Sequence, residues 1–151
     1  MLRLSKLTDY GMVVMAALAD AEDDTRNAAD LAAATGVALP TVRKLLKRLN
    51  RGGLVNSARG ARGGYRLARP ADDISIADVI AALEGPVSLT ECAAHDGLCS
   101  MESVCRLRGH WRVINDAIRG ALADVSVADM NRPAPNIPLQ PVAGIASSPG
   151  S

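Results

Sequence analysis

Apolar residues in the first half of this chain recur at helical spacing and are interrupted by glycine. Leu7, Met12, Val14, Met15 and Leu18 predict an amphipathic helix from Thr8, its N-cap, to about Asp20, where the acidic turn Glu22-Asp23-Asp24 ends it. A second, shorter helix is predicted from Ala28 to Thr35, stopped by Gly36. Pro40 then stands at a first-turn position, and Val42, Leu45, Leu46 and Leu49 mark one face of a third helix that reaches Asn50. Past it, two strand-like runs between Leu54 and Leu67 flank the loop Arg59-Gly60-Ala61-Arg62-Gly63-Gly64 and predict a hairpin.

Beyond Pro70 the pattern returns to helix. Ser75 and Asp78 form a capping-box variant that opens a helix closed by Gly85-Pro86. From about Val104 a long helix is predicted, in which Leu107, Trp111, Ile114, Ile118 and Leu122 recur at steps of four, three, four and four. So narrow a stripe suits a partner helix, and packing against its own domain is the alternative. Residues 131–151 hold Pro133, Pro135, Pro138, Pro141 and Pro149 among Gly and Ser, which predicts a disordered Pro-rich tail.

Two short helices around a Gly-containing turn, the second starting with Pro-Thr and followed by a Gly-rich basic hairpin, make a winged helix-turn-helix pattern. The expected fold is mainly α with a small β-hairpin: a winged helix-turn-helix plus a long C-terminal dimerisation helix. Three segments follow: a winged helix-turn-helix DNA-binding domain over 1–70, a polar loop with dimerisation helices over 71–130, and the tail over 131–151. With 48% apolar residues, no Phe, one Trp and two Tyr, the core must be built from Leu, Val, Ile, Ala and Met, which agrees with helix packing.

Charge sharpens the functional reading. The net charge is +1, but residues 1–70 hold 12 basic and 6 acidic side chains, and residues 71–151 hold 5 and 10. Residues 40–69 contain nine basic side chains and no acid, which predicts a polyanion partner over the alternative of a solvated basic face. With double-stranded DNA as that partner, the helix over 40–50 enters the major groove with Thr41, Arg43, Lys44 and Lys47, and the wing reaches the adjacent minor groove with Arg59 and Arg62. No nucleophile and base are arranged for catalysis, and the wing accounts for Gly63-Gly64, so an enzyme is not expected. The opening residues lack a signal-peptide pattern and no stretch approaches a membrane span of about 18 apolar residues, so a cytoplasmic, membrane-free protein is expected.

All three cysteines, Cys92, Cys99 and Cys105, fall within 14 residues. In a reducing compartment structural disulfides are rare, and an odd number leaves one thiol unpaired. Clustered thiolates are ligands for an iron-sulfur cluster or for zinc. Structural zinc sites usually pair ligands two to four residues apart, and none of these cysteines is that close to another. A reversible disulfide without metal is a further alternative, as are a cluster carrier that does not read DNA and an architectural DNA binder without a sensor. His95 and Asp96 lie between the first two cysteines and are candidates to complete the ligand set. His110, five residues past Cys105, would be rotated about 140° from it on a continuous helix and is a poor candidate.

The opening LRLSKLTDYG, the wing ARGGYRLARP, the segment SIADVIAALEG, and TEC with two further cysteines before a Trp-bearing helix together resemble the Rrf2 family of bacterial winged-helix regulators. The resemblance covers residues 1–130 and is strongest to the branch that regulates the SUF system of iron-sulfur cluster assembly. It implies a homodimeric regulator, a repressor in the main, that binds a two-iron or four-iron cluster through Cys92, Cys99 and Cys105. Cluster-sensing members place a histidine three residues beyond the last cysteine, where this chain has Arg108, which cannot ligate a cation. Nitric-oxide-sensing members borrow an acidic residue near the N-terminus, which makes Asp9 the rival of His95 as fourth ligand and keeps a nitric-oxide or redox signal as the alternative input. At the place of Arg43, cluster-sensing members hold an acidic residue that tunes site choice, so a different operator is implied here.

Overall fold

The computed structural model describes residues 3–21, 24–90 and 106–134. In chain order these form α1 (Lys6–Asp20), α2 (Ala28–Thr35), α3 (Leu39–Arg51), β1 (Val55–Ala58), β2 (Gly64–Leu67), a single 3-10 turn (Ala71–Asp73), α4 (Ile76–Glu84), α5 (Arg108–Ala123) and the short α6 (Val127–Met130). The fold is the mainly helical one with a two-stranded hairpin that the sequence pattern implies.

The start of α1 is a correction. Ser5, not Thr8, is the N-cap: the Ser5 hydroxyl accepts from Thr8 N at 3.2 Å, and Thr8 itself is buried one turn into the helix. Both residues are good caps, and tertiary burial of Thr8 decides between them. Asn27 caps α2, which ends at Gly36 with φ 73, the left-handed turn that leads to α3. The capping box of Ser75 and Asp78 on α4 is present with both reciprocal bonds.

The core gathers Val14, Met15 and Leu18 from α1, Leu31 from α2, Val42, Leu45, Leu46 and Leu49 from α3, and Val79 and Leu83 from α4, with Val55, Ile74 and Val127. The segment after residue 70 thus completes the same core as the segment before it. α1 and α4 meet at Gly11, where an added Cβ would lie 2.3 Å from Leu83 Cδ1, so the missing side chain sets how closely the two helices approach. After α5 the chain is stitched back into this body: Ile76 N donates to Val125 O at 2.9 Å, and Val127 N donates to Ile74 O at 2.8 Å. Asn131 Nδ2 then donates to Ala16 O at 3.0 Å on α1, so packed structure continues past residue 130.

Candidate nucleic-acid interface and sensor segment

α3 divides cleanly into two faces. Val42, Leu45, Leu46 and Leu49 are fully buried, while Arg43, Lys44 and Lys47 are exposed on the opposite side and Thr41 is half-buried near the first turn. Ala38 at the N-cap supplies no side-chain acceptor, so the first N–H groups of the helix stay available for an outside acceptor. Arg48 departs from the row: its Nη1 donates to Leu83 O at 3.0 Å, which ties α3 to the C-terminal end of α4.

The hairpin pairs Val55 with Leu67, Asn56 with Arg66, Ser57 with Tyr65 and Ala58 with Gly64, and projects Arg59 and Arg62 at its tip, both exposed. Its pose relative to the helices is fixed by a contact that the sequence pattern did not reveal. Arg26 N donates to Tyr65 O at 2.9 Å and Tyr65 N donates to Arg26 O at 2.8 Å, so the residues before α2 add a third, one-residue rung to the sheet. Thr25 Oγ1 donates to Arg62 O at 2.8 Å and anchors the tip itself. Gly64 permits this approach, since a Cβ there would lie 2.8 Å from the Arg26 carbonyl.

Among the described residues, the side chains of Arg43, Lys44, Lys47, Arg59 and Arg62 enter no ion pair or hydrogen bond. Five cations without internal partners on one helix face and the adjacent wing tip keep their full charge for an external anion. Proteins that read duplex DNA present a helix and a flexible basic hairpin in this combination.

Cys92, Cys99, Cys105 and His95 lie outside the described residues, as do Asp96 and Val104. Asp9 is exposed in the first turn of α1 and lines a cleft of about 640 Å³ together with Lys6, Met12, Ile76, Glu84 and Met130. Glu84 in that cleft accepts from Ser5 N at 2.9 Å and from the Thr8 hydroxyl. Hydrogen bonds from Ser5, then Thr8, hold its carboxyl below the usual glutamate range. His110 is exposed on α5. Among the described residues, no three His, Cys, Asp or Glu side chains are grouped so as to hold a metal ion.

The described ends of the cysteine segment are placed. On the entry side, Leu89 N donates to Asn115 Oδ1 at 3.2 Å, and Ser88 Oγ donates to Thr90 O at 2.7 Å. On the exit side, the chain runs directly from Arg106 into α5. The helix starts at Arg108, later than the position near Val104 that the pattern predicts; Leu107 at its N-cap is exposed, as are Trp111, Val113 and Ile114 on it. Among the described residues no helix is long and apolar enough to cross a membrane.

This geometry defines a winged-helix regulator, and comparison with known proteins agrees. A family model described as Rrf2, iron-dependent transcriptional regulator, matches residues 4–133. The chain is 32% identical over 129 residues to the HTH-type transcriptional regulator IscR of Photorhabdus laumondii, an overlap of 83% of this chain and 78% of that one. It is 30% identical over the same length to IscR of Escherichia coli O1:K1, covering 83% and 79%. Among solved structures it is similar to CymR, the global cysteine regulator of B. subtilis, with TM-score 0.68, 30% identity and coverage of 87% and 97%. It is also similar to T. potens IscR, with TM-score 0.63, 30% identity and coverage of 85% of each chain. The chain belongs to the Rrf2 family of transcriptional regulators, and these relatives are regulators, not enzymes.

Proposed function

We propose that the protein is a cytoplasmic, homodimeric DNA-binding regulator that senses an iron-sulfur cluster and represses genes of the SUF cluster-assembly system. In this reading residues 1–70 bind duplex DNA through Thr41, Arg43, Lys44, Lys47, Arg59 and Arg62, and residues 71–130 hold the cluster and pair the subunits. The observation that supports it most is the position in the chain of a three-cysteine segment between α4, which packs on the DNA-reading helices, and α5, which exposes Trp111, Val113 and Ile114.

The donor set suits a cluster better than zinc. Cys92, Cys99 and Cys105 would supply three thiolates, and Asp9 or His95 would supply the fourth donor. The exposed Asp9 carboxylate accepts no hydrogen bond among the described residues and so is free to ligate. Bound there, the cluster supplies a group that oxidants, nitric oxide or iron scarcity can destroy. The exposed Trp111, Val113 and Ile114 in the first half of α5 favour a second copy of the chain, because a homodimer presents two recognition helices to two half-sites.

Purification without oxygen, followed by an absorption spectrum and iron and sulfide analysis, tests this reading. A coloured protein with acid-labile sulfide is expected, and changing Cys92, Cys99 or Cys105 to Ala should each remove it. Operator DNA from upstream of the assembly genes should bind with different affinity to the loaded and apo proteins. A colourless protein with stoichiometric zinc, or equal affinity of both forms for that DNA, would overturn it.

A further inference from the structure

We infer that Asn115, in the middle of α5, is a positioning residue for the cysteine segment, an inference that rests on the cluster reading above. Among the described residues of α5 it is the buried one, at 2% exposure, and its neighbours Asp116 and Ile114 are exposed. A carboxamide in a buried position costs free energy unless its polar atoms are bonded, and a leucine of similar size would pack there without that cost. The oxygen at this place is used: Oδ1 accepts the Leu89 N–H, three residues before Cys92.

The approach to that bond is itself constrained. α4 ends at Gly85 with φ 94, Pro86 follows, and the Ser88 hydroxyl closes onto Thr90 O. The strap from α4 is therefore short and directed, and it is fastened two turns into α5 from Arg108. The exit of the segment is the start of the same helix. Both ends of the cysteine segment are thus referred to one rigid element, one by the carboxamide and the other by chain continuity. Ligands held by a supporting shell need less ordering when the group binds, so the carboxamide slows cluster loss without touching the cluster.

The experiment compares rates of cluster loss to a chelator, read by visible absorbance of anaerobically purified full-length protein. Asn115→Leu should lose the cluster at least about tenfold faster than the wild type, whereas Asn115→Asp, which keeps an acceptor oxygen, and the exposed control Asp116→Asn should stay within about twofold. Leu89→Pro removes the donor from the other side of the bond and should match Asn115→Leu, with no further gain in the double variant. Apo forms of all variants should keep the wild-type affinity for nonspecific DNA, and hydrogen exchange at Leu89 should accelerate in Asn115→Leu. A wild-type loss rate in Asn115→Leu, or additive effects of the two substitutions, would overturn the role. A wild-type protein without iron and sulfide fails the cluster reading itself, before any variant is compared, and the positioning role with it.

Discussion

The carboxylate of Glu84, in the last turn of α4, accepts the hydroxyl of Thr8 in the first turn of α1, and the same oxygen takes the Ser5 N–H. One acidic side chain thereby joins the helix that leads toward the cysteines to the helix that bears Asp9. Ser5 and Thr8 hold the carboxyl below its ordinary range, so the folded state favours the ionised form. Its stabilising contribution is complete above the unfolded value of about 4.3 and is lost as pH falls through the lower folded value. Glu84→Gln should lower the melting temperature by a constant amount at neutral pH, and the gap to the wild type should close as the pH falls below the ordinary glutamate range. A gap that widens in acid would reverse the sign assigned to Glu84. Thr8→Val should cost about 0.5–1.5 kcal/mol at pH 7, measured by urea unfolding.

The wing should be sensitive to a single methyl group. Gly64→Ala places a Cβ against the Arg26 carbonyl, which cannot retreat without breaking both hydrogen bonds to Tyr65. A loss of about 1–3 kcal/mol is expected, with weaker operator binding than the loss of stability alone explains. Urea unfolding and DNA titration on the same samples separate the two effects.

The basic side chains should sort by role. Arg43→Ala and Arg59→Ala should each cost about 1–3 kcal/mol on operator DNA and relax specificity, whereas Lys47→Ala should weaken binding to any duplex and lower the salt slope by about 1. Equal losses on random and operator DNA for all three would make them backbone anchors.

The α5 stripe should hold the subunits together. Ile114→Asp puts a charge on the exposed apolar side and should yield a monomer in sedimentation, with the melting of the winged body little changed because Ile114 lies outside its core. Arg112→Glu probes the same helix less directly, since Arg112 has an interaction within the chain.

Local patterns were read well where local chemistry decides them. The helix from Ala28 to Thr35 stopped by Gly36, the α3 stripe of Val42, Leu45, Leu46 and Leu49, the hairpin around Arg59–Gly64, and the Ser75–Asp78 box all follow from spacing and capping. The α1 cap differs from the pattern because Ser5 and Thr8 are both competent and only tertiary packing, which buries Thr8 with its hydroxyl on Glu84, 76 residues away, decides between them. The rung at Arg26 left no trace in the pattern, since a single bridging residue has no period. By charge alone Arg48 is one of the nine basic residues over 40–69, and only its reach to the Leu83 carbonyl sets it apart as a tie between α3 and α4. Asn115 interrupts nothing in the stripe of α5 and became visible only through its bond to Leu89. The roles of Cys92, Cys99 and Cys105 follow from spacing and family resemblance alone, because the cysteines lie outside the described residues.

The two backbone bonds that return the chain after α5 to the residues before α4, with Val127 in the core, bear on how such regulators can diverge. A recombination crossover between residues 75 and 124 would join Ile74 of one parent to Val127 of another, and the incoming segment would still have to fill that core position. Val127 and Ile74 would have to be inherited together, so the part of the chain between them changes more readily by substitution than by exchange as a whole module.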